Sequence, residues 1–197
     1  MALLGLALLA VSCRKSQPVQ AGALPTVLAG LALRDEQGAP LQSDALAGKT
    51  LLLNFIFTRC PSLCPLQTRQ LARVQHAIAE SLKSRVRFLS ISVDPEHDTP
   101  QALQKFAAEN GIALSNWSLA TSSPEATQRL ALALQAIDSS AGSALPAAHG
   151  AAVYLFDAQG RLVQRYAGAP LDGPRLIREL EQLDRLERQR SQRAAAL

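Results

Sequence analysis

Thr50-Leu51-Leu52-Leu53-Asn54-Phe55-Ile56-Phe57-Thr58-Arg59-Cys60-Pro61-Ser62-Leu63-Cys64-Pro65 runs from an apolar stretch directly into two cysteines, each followed by a proline. Residues 50–57 have strand length and almost no polar interruption, the pattern of a central strand covered on both faces. A proline biases the residue before it away from helical geometry, and Pro65 would clash inside a helix. The spacing therefore predicts a helix from about Pro65 to Lys83, with Leu66, Leu71, Val74 and Ile78 on one buried stripe. Both cysteines then lie on the loop entering that helix. The partial positive charge of a helix N-terminus favours thiolate over thiol, lowering a pKa that is about 8.5 in free cysteine.

Outward from this stretch, strands and helices alternate. Residues 86–93, VRFLSISV, read as a second buried strand. Thr99-Pro100 has the form of a helix cap and first position, and Asn110-Gly111 that of its end. Ser123-Pro124 repeats the start signal for a helix through about Ile137. Residues 151–157 read as a strand, 158–160 as a turn, 161–166 as the antiparallel return and 172–192 as a last helix. Upstream, residues 27–34 and 40–46 flank the turn Asp35-Glu36-Gln37-Gly38 and suggest a hairpin or paired edge. The order predicts an α/β fold with a central mixed sheet flanked by helices, arranged as in thioredoxin with an inserted helix. Sites in such sheets form beyond the carboxyl ends of the strands, where the cysteines fall. There is no internal repeat and no interior linker, so residues 25–192 form one domain and 193–197 a tail.

Composition narrows the setting. The 197 residues, 48% hydrophobic and 18% charged, suffice for one globular domain with a full core. The net charge of +4 is small. Its arginines crowd the C-terminal segment among Glu and Asp, as on a solvated helix, and no aromatic-plus-basic interleaving supports nucleic-acid binding. Residues 1–12, MALLGLALLAVS, are too short to cross a bilayer, which takes about 20 residues, and fit a secretory leader or an anchor. Val11-Ser12-Cys13 resembles the cleavage and lipidation site of bacterial lipoproteins, with Cys13 as the lipidated residue. Residues 13–24 are polar and small, as in a flexible tether. The domain is thus expected at the periplasmic or extracytoplasmic face of the bacterial inner membrane, where thiols meet oxidants.

Of three cysteines, export leaves Cys60 and Cys64 to work together, with three residues between them. Thiolates are both nucleophiles and metal ligands, so thiol–disulfide exchange and metal binding are both open. A structural disulfide is the blander reading. Two soft sulfurs select Cu(I), zinc or an iron–sulfur cluster. A cluster would need four ligating side chains, and zinc usually takes four, or three plus water. Cu(I) is satisfied by two thiolates and one imidazole. Among three histidines, His76 is mid-helix and reads as solvated, and His97 lies in the loop after the second strand as a turn residue. His149 precedes the strand at 151–157, a position that faces the first helix's N-terminus in a thioredoxin-like fold and suits a third ligand. Asp94 and Asp98 at the same edge serve turn formation and the Thr99 helix start. They are also candidates for hydrogen bonding around the sulfurs.

LAGKTLLLNFIFTRCPSLCP, then ISVDPEHDTP, then HGAAVYLFDAQGRLV, in that order between residues 41 and 180, resemble the Sco/SenC family of copper chaperones and redox proteins. The resemblance implies one copper, as Cu(I) or Cu(II), bound by Cys60, Cys64 and His149. It also implies delivery to the CuA centre of cytochrome c oxidase subunit II or another copper-receiving protein. The alternative it implies is reduction of that subunit's cysteines by Cys60 and Cys64 as a thiol–disulfide oxidoreductase. A peroxidase on the same fold is disfavoured, since peroxidases normally use one peroxidatic cysteine, not a clustered pair. The residue before the histidine, often acidic in the family, is Ala148.

Overall fold

The computed structural model describes residues 24, 28, 30–137 and 150–196. Its centre is a six-stranded sheet in the order β1-β4-β3-β2-β5-β6. The strands are β1 Arg34–Asp35, β2 Thr50–Ile56, β3 Val86–Ser92, β4 Trp117–Thr121, β5 Ala152–Phe156 and β6 Leu162–Ala167. The helices are α1 Leu63–Ala77, α2 Glu80–Lys83, α3 Pro100–Glu109, α4 Pro124–Ala133 and α5 Gly173–Ala195. The strands β2, β3 and β4 run parallel, while β5, β6 and β1 pair antiparallel. This is the mixed, helix-flanked sheet of the thioredoxin-like fold.

Alternation along β2 divides the core. Leu52 and Ile56 pack on one side with Leu71 and Val74 of α1, Leu103 and Phe106 of α3, and Leu176 and Leu180 of α5. Leu51, Leu53 and Phe55 pack on the other with Leu130 and Ala131 of α4. Every residue of β2 is buried, as a strand sandwiched between helix layers requires. Asn54 shares the α1 side, and its amide is absorbed by a chain of buried hydrogen bonds. Trp117 Nε1 donates to Ser90 Oγ at 2.9 Å, Ser90 Oγ to Asn54 Oδ1 at 2.8 Å, and Asn54 Nδ2 to Gln67 Oε1 at 2.9 Å. Each bond spares a polar group the cost of burial without a partner.

Several expectations need correction. Of the hairpin or paired edge expected at 27–34 and 40–46, the hairpin reduces to an isolated bridge between Arg34 and Pro40, while β1 is a paired edge strand, joined to β4. Leu28, Leu31 and Leu33 are buried against the sheet's α4 face, so these leucines serve packing and not a strand ladder. The helix expected over 65–83 breaks at Ile78 and Ala79, whose ψ values of 145° and 144° are extended. Leu66 is exposed, and the buried face of α1 carries Gln67, Thr68 and Gln75 beside Leu71 and Val74. Strand β4, unforeseen in residues 117–121, completes the parallel part of the sheet. The helix starts at Pro100 and Pro124 stand as expected, with Thr99 and Ser123 accepting N–H groups three residues on. Gly111, at φ +72°, follows the end of α3 in the left-handed conformation that favours glycine. Helix α4 ends at Ala133, and α5 runs on to Ala195.

Candidate metal and thiol site

Strand β2 ends at Ile56, and the chain turns through Thr58 and Arg59 to reach Cys60 before α1 begins at Leu63. The helix therefore starts two residues earlier than Pro65 suggests, and Cys64 sits within its first turn. Proline is tolerated there because first-turn N–H groups have no helical acceptor. Ser62, in the capping position, gives no side-chain capping bond. The acceptor is a sulfur: Cys64 N–H donates to Cys60 Sγ at 3.3 Å. Cys60 in turn donates its N–H to Phe57 O at 3.2 Å. Neither cysteine is in a disulfide; Cys60 is partly exposed and Cys64 buried.

Their environments push the two thiols apart. Burial acts to raise Cys60, but hydrogen bonds from the backbone of Cys64, Ser62 and Leu63 favour its thiolate and leave its pKa below the ordinary value. Burial pushes the Cys64 thiol up to about 12, with Cys60 and the negative Asp98 adding to the rise. The pair thus combines an accessible, activated sulfur with a protonated, sheltered one. Exposed Leu63 and Leu66 flank it on the surface of α1.

The turn after β3 faces this loop. Asp94 accepts Arg59 Nη2 at 2.8 Å and faces His97 Nδ1 at 2.8 Å. Burial acts to raise the Asp94 carboxyl, and the His97 and Arg59 partners outweigh it, holding the group below the usual carboxylate range. Asp98 is not a cap for α3; Thr99 takes that role. Instead Asp98 accepts from Thr58 and from Ser92. Those two hydroxyl residues went unnoticed in the sequence, although each stands just where a central strand gives way to the site loop. His97 is the turn residue expected, and His76 lies exposed at the end of α1 with Nε2 3.0 Å from Gly111 O. Of the candidate residues, Cys60, Cys64, Asp94 and Asp98 come together at one edge of the sheet. Cys13 and His149 lie outside the described residues. Among the described residues no cluster of three or more His, Cys, Asp or Glu side chains is arranged to hold a metal. Nor is any described helix long and apolar enough to cross a membrane.

Comparison with known proteins points one way. The SCO1/SenC family model matches residues 25–184. A SCO1/SenC family lipoprotein from Bacillus anthracis superposes with a TM-score of 0.67 at 30% identity, over 77% of this chain and 91% of that one. BsSco, described as a member of the Sco family of cytochrome c oxidase assembly proteins with a disulfide switch, gives 0.63 at 29% identity over 77% and 89%. ScoI of Arabidopsis thaliana, solved with copper bound, gives 0.63 at 27% identity over 78% and 95%. With its sequence matched over residues 25–184 and its fold shared with these structures, the chain belongs to the SCO1/SenC family.

Proposed function

We propose that this protein binds one copper ion through Cys60, Cys64 and His149 and passes it to the CuA centre of cytochrome c oxidase subunit II. The observation that carries the reading is the Cys64 N–H bond to Cys60 Sγ at 3.3 Å, which gathers both cysteines on one helix start. A soft cation suits two sulfurs, and copper is the cargo here. Cys60 offers a thiolate readily, and metal capture displaces the proton that burial keeps on Cys64. Copper in the related Arabidopsis ScoI supports the choice of metal, and the oxidase-assembly role described for BsSco supports the destination. Anchoring through Cys13, or through residues 1–12 left uncleaved, would hold the domain at 25–192 on the extracytoplasmic membrane face by the tether at 13–24. The lipoprotein relative from Bacillus anthracis supports that placement.

Titration of the reduced protein with Cu(I) against a competing chelator is expected to give one ion per chain. Cys60→Ser, Cys64→Ser and His149→Ala should each weaken binding by more than about 100-fold, beyond the usual loss on removing a supporting partner. Full-strength binding by His149→Ala would defeat the copper reading. Thiol–disulfide exchange on the oxidase subunit is the second reading, favoured by the contrast between activated Cys60 and sheltered Cys64. Reduction of an oxidised subunit II peptide that persists in His149→Ala would select it.

A further inference from the structure

Asp98 is 1% exposed, and a carboxylate so buried needs its lone pairs filled. The Thr58 N–H donates to both oxygens, at 3.1 and 3.2 Å. Thr58 Oγ1 donates to Oδ1 at 2.6 Å and Ser92 Oγ to Oδ2 at 2.6 Å. Ser92 Oγ itself accepts the Asp94 N–H at 3.0 Å. One carboxylate thus joins the end of β3 to the loop that leaves β2, immediately ahead of Cys60. Arg59, the next residue along, is held by Asp94. Asp98 grips the loop by its backbone as well as its side chain, whereas Arg59 is largely exposed. An amide at position 98 would offer a single acceptor oxygen, and its NH2 would meet hydrogen-bond donors.

We propose that Asp98 is a positioning residue that acts through Thr58 to hold Cys60 at a fixed separation from Cys64. It thereby sets how readily the two sulfurs close into a disulfide and how tightly they grip a soft cation. The inference rests on reading Cys60 and Cys64 as a working pair, whichever of the two proposed functions they serve. Two groups held in register react as though at high concentration; on a slack loop much of that advantage is lost.

The test is thiol exchange with glutathione on the full-length, metal-free protein. The reduced protein and glutathione disulfide yield the Cys60–Cys64 disulfide and two reduced glutathiones, the cysteine protons passing to the glutathione thiolates. Asp98→Asn and Thr58→Val are each expected to move this equilibrium about tenfold toward the dithiol, a shift of about 30 mV. Thr58→Ser keeps the hydroxyl and should restore the parent value. The double variant Asp98→Asn/Thr58→Val should do little more than either change alone, because both cut one linkage. Urea unfolding of the reduced forms, followed by circular dichroism, reads any loss of fold separately. Variants with a lowered urea midpoint but an exchange equilibrium within about twofold of the parent would overturn the proposal. Should Asp98→Asn fail to fold, Thr58→Val, which leaves the carboxylate its Ser92 and backbone donors, carries the reading. Absence of copper binding in the parent would sink the copper reading and leave this measurement standing.

Discussion

At the scale of single residues the site is a matter of which atoms reach a sulfur. Cys60 Sγ stands where a capping oxygen usually does, accepting the Cys64 N–H, one of the first-turn donors that have no acceptor within the helix. Cys64 lies within the helix's first turn, where burial drives its pKa to about 12. Alkylation should expose the difference. Thiolate is the reacting species, and its fraction rises as pH climbs through the pKa. In the reduced, metal-free protein, iodoacetamide at neutral pH is expected to label Cys60 first. Cys64 labelling should stay slow until the pH approaches strongly alkaline values or the protein unfolds. Peptide mass spectrometry on timed samples reads the order; equal labelling of both at neutral pH would contradict it. The cysteines, their prolines and Asp94 and Asp98 were legible in the sequence because each belongs to a short motif at a strand end. Thr58 and Ser92 were not, since nothing local separates a hydroxyl that clasps a carboxylate from one that faces water.

Elements were legible where local chemistry and tertiary demand agree. Pro100 and Pro124 behind their capping hydroxyls gave true helix starts, and largely apolar runs of strand length gave β2 and β3. Strand β4 was missed because it is five residues long and carries Ser118 at its second position. Its strand character comes from pairing with β3 and from Trp117 stacking on Phe88 at 5.0 Å between centroids. Helix α1 buries Gln67, Thr68 and Gln75, against the expectation from hydrophobic spacing. Gln67 and Gln75 find acceptors or donors on distant segments, Asn54 and Asn116 among them, which no window of sequence contains. The same packing makes Gly168 intolerant. A Cβ there would lie 1.8 Å from Gln67 Nε2 and 2.1 Å from the Ala151 carbonyl oxygen. Backbone cannot step aside as a flexible side chain can. Gly168→Ala is therefore expected to destabilise the protein by about 2 kcal/mol or more, the upper end for overpacking, read as a fall in the urea midpoint.

For the molecule as a whole, the question is what binds the outer layers to the sheet. Helix α5 covers α1 and β2 through Leu176 and Leu180. Further along, Asp184 ties it to the start of β3. Asp184 is buried, accepts from Arg85 through both oxygens and pairs with Arg188 at 2.9 Å. Arg85 keeps about a third of its side chain exposed (36%), so losing its partner strands no buried cation. Asp184→Ala should accordingly cost about 2 kcal/mol, within the range for hydrogen bonds to charged groups, and less than breaking a fully buried pair. A loss of under half a kilocalorie in chemical denaturation, at or below the ~0.5 kcal/mol of an ordinary surface change, would show that α5 is held by its leucines alone.

The lone tryptophan offers an optical window on all of this. Trp117 is 1% exposed, with its ring NH bonded to Ser90. An indole so shielded from water emits at short wavelength, and wetting it shifts the light to the red. Because a relay of amides and a hydroxyl runs from that ring to α1, a disturbance at the helix that carries Cys64 has a material route to the chromophore. Its emission colour therefore follows the integrity of the sheet's interior without any attached dye.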